Sequence, residues 1–245
     1  MAQLYDEIGI GYCDRRRPDP RILRATHAAL GDARTVLNVG AGAGSYEPTE
    51  RDVVAVEPSI EMIGQRASDA APVVRAYGDR LPFASGSFDA ALATLTLHHW
   101  PDQSGGVAEL RRVARARVVI LTWMDEGEPF WLYDYFPEII EIDRRLFPGA
   151  SEFRRSHGPF EPTPVPIPHD CVDGFLGAYW RRPHAYLDRD VRLAISSFSK
   201  IRHVEEGVER LRDDLEDGSW SKRYGPVMER SELDLGYRLM VAETR

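Results

Sequence analysis

Residues 36–59, VLNVGAGAGSYEPTERDVVAVEPS, set two short apolar runs on either side of a loop with three glycines and close on an acidic residue. Runs this short that are apolar on both faces suit strands buried in a parallel sheet. Gly40, Gly42 and Gly44 follow the first run, where missing side chains let backbone N–H groups approach a ligand closely. The spacing argues against a dinucleotide. A G-x-G-x-x-G fingerprint would need glycine at 45 or 47, which are Ser45 and Glu47, and a full crossover helix before the next strand. Only residues 45–52 separate Gly44 from the second run, and Pro48 interrupts them. Roughly one or two helical turns fit there, which disfavours a nicotinamide or flavin dinucleotide.

Working outward, further apolar runs lie at 72–77 (PVVRAY), 88–95 (FDAALATL) and 116–123 (ARVVILTW), with helical periodicity in SIEMIGQRA and VAELRRVAR between them. Strands alternating with helices predict a parallel sheet covered on both sides, so the first 123 residues read as α/β. After Trp123 the pattern changes. The stretch EPFWLYDYFPEIIEIDRRLF predicts an aromatic-rich helix containing Pro137, and helical stretches are expected at about 170–181, 188–200 and 203–216. Prolines at 162, 164, 166 and 168 leave one edge of an extended segment without donors, while Thr163, Val165 and Ile167 can still pair on the other. That segment can be an outermost strand or a free polyproline stretch. GYRLMVAE suits a final strand.

The chain has 245 residues, enough for one large domain, and 31 basic against 39 acidic residues give a net charge of −8. Outside Arg15–Arg17 and the pair Arg181, Arg182 the basic residues are scattered, which argues against a nucleic-acid track. Two cysteines, Cys13 and Cys171, are too few for a disulfide framework or a sulfur-ligated zinc site, and no metal site is expected. Reduced thiols and the lack of a signal-peptide pattern or membrane-length apolar window lead to the expectation of a cytoplasmic protein. The oligomeric state stays open.

Glu57 ends the second run, where a carboxylate can accept both hydroxyls of a ribose; alternatively it is a surface turn residue before Pro58. Asp79, just past the third run, could accept from an adenine amino group or cap a turn. Three such signals at the carboxyl ends of three successive strands outline an adenosine site, because ligands of open α/β sheets bind along that edge.

The combination of VLNVGAGAG, VVAVEPSIEMI, YGDRLPFASGSFDAAL and TLHHW resembles the class I S-adenosylmethionine-dependent methyltransferases, particularly the branch of ubiquinone/menaquinone C-methyltransferases. The resemblance is dense over 35–123. It implies a Rossmann-like, seven-stranded, mostly parallel sheet flanked by helices, with an antiparallel last strand and helical additions after strands five and six. The expected layout is a single domain: a lid and helix at 1–34, the cofactor core at 35–123, substrate-side insertions at 124–234 with the edge strand at about 161–168, and the final strand at 235–245. By the same resemblance Gly40 and Gly42 approach the methionine part of S-adenosylmethionine, Glu57 holds the ribose, Met62 packs on adenine, and Asp79 with the Arg80 N–H reads the adenine edge. Ala41, Pro58, Gly78 and Thr94 complete the expected cofactor set. Two departures stand out: Asn38 replaces the usual acid of the first strand, and the first helix is abbreviated.

The implied reaction moves a sulfonium methyl to a small-molecule acceptor and leaves S-adenosylhomocysteine. A base is needed only where the acceptor loses a proton. His98 and His99, after the fourth run, could supply it or could pack under their loop; His169, beside Asp170 and Cys171, is a further candidate. Asp170 reads equally as a helix N-cap, and Cys171 as a small buried side chain. YDEIGIGYCDRRRPDPRIL resembles a lid in which Tyr5 and Tyr12 could close over the donor and Arg16 or Arg17 could pair with the methionine carboxylate; alternatively the arginines are a solvated run and the tyrosines pack on the sheet. Trp123, Trp131, Tyr135 and Tyr179, with Tyr5, are the expected substrate-side aromatics, suiting a planar or apolar acceptor. Two other readings remain: a non-catalytic S-adenosylmethionine-binding protein, and an NAD(P)-dependent reductase.

Overall fold

The structure, a computed structural model, describes residues 16–147 and 149–244. Helix α1 (Pro20–Ala29) begins where Asp19 caps it, the Asp19 carboxylate accepting from Arg21 N–H at 3.0 Å, and proline at the first helical position is pre-set for the turn. Strand β1 (Thr35–Val39) leads to the glycine loop and β2 (Asp52–Val56), then α2 (Ile60–Gly64), β3 (Val73–Val74) and β4 (Phe88–Thr94). A short 3₁₀ turn, Leu97–His99, precedes α3 (Gln103–Val113), capped by Asp102, and β5 (Ala114–Trp123).

The main sheet has seven strands in the order β3-β2-β1-β4-β5-β9-β6. Strands β1 to β5 run parallel, while β9 (Tyr237–Glu243) slots antiparallel between β5 and β6 (Glu161–Pro164). Alternating side chains fill both faces: Val36, Val119 and Leu239 pack on one side, Leu37, Val118 and Met240 on the other. The order reverses at β1, whose successors lie on one side and β4 on the other. That switch point opens a crevice at the carboxyl ends of β1 and β4, where ligands bind in such sheets.

The proline segment divides. Glu161–Pro164 pairs with β9 at the sheet edge, Val165 N–H donates to Tyr237 O at 2.9 Å, and Ile167–Pro168 leaves as β7 to pair with β8 (Glu232–Leu233). Donors serve one side only, as the prolines require. The aromatic-rich stretch is two helices, α4 (Leu132–Tyr135) and α5 (Pro137–Leu146), because Pro137 lacks the N–H to continue α4 and starts a new helix instead. Helix α6 (Ala150–His157) follows.

The helix expected at 170–181 reduces to a 3₁₀ turn at Leu176–Tyr179; Gly174 and Gly177 weaken it, and Asp170 accepts from Arg21 instead of capping it. Residues 188–200 hold only α7 (Arg189–Leu193) and a turn at Phe198–Lys200. Helix α8 (Val204–Glu216) matches its periodicity, and α9 (Ser219–Tyr224) follows. No helix among the described residues is long and apolar enough to cross a membrane.

Candidate active site

The crevice is a cleft lined by the glycine loop and by Glu57, Met62, Thr94 and Trp100. Its floor is the glycine loop, tied to the end of β2 by Gly40 N–H and Ala41 N–H donating to Val56 O at 2.8 and 3.0 Å. Gly40 has φ +70°, and a Cβ there would lie 2.1 Å from Thr96 Oγ1, so only glycine fits this approach of loop to β4. Gly42 N–H donates to Glu57 Oε2 at 2.8 Å, and Ser59 N–H to Glu57 Oε1 at 3.0 Å. These bonds aim the buried Glu57 carboxylate into the cleft.

With no helix between β1 and β2, a buried ion pair holds the loop. Arg66 Nη2 donates to both Glu47 oxygens at 2.8 Å, Arg66 Nη1 to Gly42 O, and Asn38 Nδ2 to Glu47 Oε1 at 3.2 Å. The acid absent at Asn38 is thus supplied from within the loop, nine residues on.

Of the expected cofactor residues, Gly40, Ala41, Gly42, Glu57, Pro58, Met62, Gly78 and Thr94 all line this cleft. The Thr94 hydroxyl is buried with no partner among the described residues. Asp79 and Arg80 do not line it, and Arg80 N–H is turned back onto Tyr77 O at 3.2 Å. Arg17 is exposed, whereas its neighbour Arg16 lines the cleft, its Nε donating to the buried Asp173 at 2.7 Å. Tyr5 and Tyr12 lie outside the described residues.

A second chamber lies beside the first. Arg16, Leu95 and His99 border both. Leu95 sits at φ +51°, a strained backbone for a leucine, at the end of β4. His98 and His99 follow on the 3₁₀ turn with ring centroids 3.7 Å apart, and His98 stacks at 4.9 Å from Phe147. Burial drives both imidazoles down, His99 to about 3 and His98 well below its ordinary value, with neighbouring positive charge adding to the effect. Both are therefore neutral at pH 7 and poor proton acceptors there.

His169 does not join them: its Nδ1 meets Ser231 O at 3.1 Å, exposed, at the β7–β8 pair. Cys171 is fully buried, and burial pushes its thiol up to about 12. Among the expected aromatics, Trp123 lines the second chamber. Trp131 and Tyr135 turn into the core instead, with Trp131 Nε1 donating to Trp180 O and Tyr135 O–H to Asp214. The Tyr179 ring carries the Arg182 guanidinium at 4.7 Å, outside the chamber. These three lie on the apolar faces of their elements, and packing claims them.

Trp100 and Asp143 are among the lining residues not singled out from the sequence. Trp100 closes the cleft, with Gly78 and Gly106 flanking its indole so tightly that a Cβ on either would collide; TLHHW contains it, but only the two histidines of that stretch stood out as candidates. Asp143 lines the second chamber although it is 6% exposed. Its signal was an acid four residues after buried Ile139, on the apolar stripe of α5.

A methyltransferase-domain family profile matches residues 37–122. The chain is 33% identical to a crystal structure from Anabaena variabilis, described as a candidate methyltransferase of an antibiotic biosynthesis pathway. The superposition gives a TM-score of 0.85 and covers 93% of this chain and 98% of that one. It is 40% identical over 97 residues to an uncharacterized methyltransferase of Mycobacterium sp. (strain KMS), covering 37% of this chain and 38% of that protein. It is 26% identical over 126 residues to a tRNA (carboxymethyluridine(34)-5-O)-methyltransferase of Schizosaccharomyces pombe, covering 48% and 52%. The chain therefore spans about half, or less, of the length of these two curated relatives.

Proposed function

The chain belongs to the class I S-adenosylmethionine-dependent methyltransferase family, and from that premise we propose that it passes the methyl group to a small-molecule acceptor. The observation that carries this reading is the pair of adjoining chambers. The cleft at the switch point has the glycine floor, a carboxylate at the end of β2 and a sulfur-bearing side chain, Met62, that suit an adenosyl ligand. The second chamber shares Arg16, Leu95 and His99 with it, so an acceptor held there would lie beside the cofactor cleft.

S-adenosylmethionine supplies an electrophilic sulfonium methyl and leaves as S-adenosylhomocysteine. The residues of the chain bind and orient. Glu57 would accept the ribose hydroxyls, the Thr94 hydroxyl, which has no partner among the described residues, suits a polar atom of the amino-acid part, and Arg16 suits its carboxylate. Aromatic and aliphatic walls exclude water, and positioning of this kind supplies much of the acceleration of an in-line displacement.

The net charge of −8 favours a small molecule over RNA. The motif order supports a place near the ubiquinone/menaquinone C-methyltransferase-like branch, but it concerns the cofactor half, residues 35–123, and leaves the acceptor atom to the other chamber. The cytoplasm is the proposed setting, on the cysteine content. Incubation with methyl-labelled cofactor and an extract of the native host, followed by mass spectrometry, tests the reading: label should appear in a small molecule, and label in RNA alone would overturn it.

A further inference from the structure

We propose that Asp143 receives the hydroxyl of the methyl acceptor, so that the second chamber takes a small aromatic or apolar alcohol and Asp143 accepts the proton it loses. This rests on the methyltransferase reading above. Asp143 is 6% exposed, lines the chamber, and has no hydrogen bond or ion pair to its carboxylate among the described residues. A buried carboxylate without a partner is costly to keep, and the chamber offers space for one. Trp123, Phe147, Phe175 and Tyr237 give the wall apolar surface, and Thr122, Ser196 and Ser197 add hydroxyls to it.

The charges around Asp143 decide between acceptors. Lys200, from the turn after α7, and Arg16, at the shared wall, place positive charge near it; Tyr133 of α4 and Tyr237 of β9 face it with phenols, and His98 and His99 are neutral. An ammonium would meet those cations and has no lone pair for attack. A carboxylate would meet Asp143. A hydroxyl satisfies the site, since it donates to Asp143 and keeps a lone pair for the methyl group. Burial raises the Asp143 carboxyl to about 7, against the depressed histidines, which suits a proton acceptor near neutrality. In the step, the acceptor oxygen bonds to the methyl carbon as the carbon–sulfur bond breaks, its electron pair leaving on sulfur. The hydroxyl proton passes to the Asp143 carboxylate and thence to water.

Calorimetry on the full chain separates this inference from the one it rests on. Titration with S-adenosylhomocysteine comes first: failure of the wild type to bind it overturns the methyltransferase reading. With that ligand bound, 4-methylphenol and 4-methylbenzoate are compared in wild type, Asp143→Leu and Asp143→Asn. The wild type should prefer the phenol by about tenfold or more, the size of a lost hydrogen bond plus a like-charge contact, and Asp143→Leu should abolish the preference at unchanged S-adenosylhomocysteine affinity. The benzoate stays ionised from pH 5.5 to 8.5 (roughly bracketing neutrality), so its exclusion should strengthen across that range in the wild type. Subtracting the response of both variants removes any contribution from Lys200. An equal affinity for the two probes, or a preference and pH response that persist in both variants, overturns the assignment of Asp143.

Discussion

Glu57 is the residue on which cofactor affinity should depend most directly. Its two oxygens are oriented by the Gly42 and Ser59 N–H groups, so the carboxylate is fixed in place before a ribose arrives. Removing a charge-assisted hydrogen bond costs about 1.5–3 kcal/mol, so Glu57→Ala should weaken S-adenosylhomocysteine binding roughly tenfold to a hundredfold in calorimetry. Unchanged affinity would remove Glu57 from the ribose role. Gly40→Ala meets two obstacles, a backbone at φ +70° and Thr96 Oγ1 at 2.1 Å from the new carbon. The variant should melt lower and bind the cofactor product poorly. Adding Thr96→Ala should recover only the part due to the collision, which separates crowding from backbone strain.

At the scale of elements, the loop between β1 and β2 does without a helix because Glu47 and Arg66 hold it. Their side chains are 7% and 4% exposed, and Arg66 also reaches the carbonyls of Gly42 and Ala71. Breaking one half of a buried pair leaves the other charge uncompensated, at a cost of about 3–5 kcal/mol. Arg66→Met should therefore lower the denaturant midpoint strongly and weaken S-adenosylhomocysteine binding, since the displaced loop carries Gly42. A loss of stability below about 1 kcal/mol would show that the pair is not what keeps the loop in place.

At the scale of the whole molecule, the second chamber sets two opposing dependences of stability on pH. The His98 and His99 imidazoles are lowered from 6.5, so between about 3 and 6.5 the unfolded chain binds protons that the folded chain refuses. Their contribution is present above 6.5 and is lost as pH falls. The Asp143 carboxyl is raised from 3.8 to about 7, so the folded chain keeps a proton that the unfolded chain releases, and the penalty grows as pH rises through that interval. Denaturation at pH 5 and pH 8 should show His98→Gln with His99→Gln losing less stability on acidification than the wild type. Asp143→Asn should gain stability relative to the wild type as pH rises. A single pH dependence shared by all three proteins would contradict the burial of these groups.

The sequence by itself determined the sheet, the cofactor motifs and the side of the sheet that binds. Short runs apolar on both faces, the glycines at 40, 42 and 44 and the acid at 57 are local signals, each set by neighbours within a few residues. Even the edge strand was legible at Pro162 and Pro164, because a missing N–H leaves a strand one pairing side wherever it sits. Only the tertiary structure decided which polar groups share the second chamber. Asp143 is four residues from Ile139 on one helix, yet its neighbours Lys200, Tyr133 and Tyr237 come from three other elements. Trp131 and Tyr135 read as substrate contacts from composition, but the packing of α4 against α8 and α9 turned them into the core. Burial, and with it the proton affinity of His99 and Asp143, depends on desolvation by residues distant along the chain. A local pattern carries no record of that.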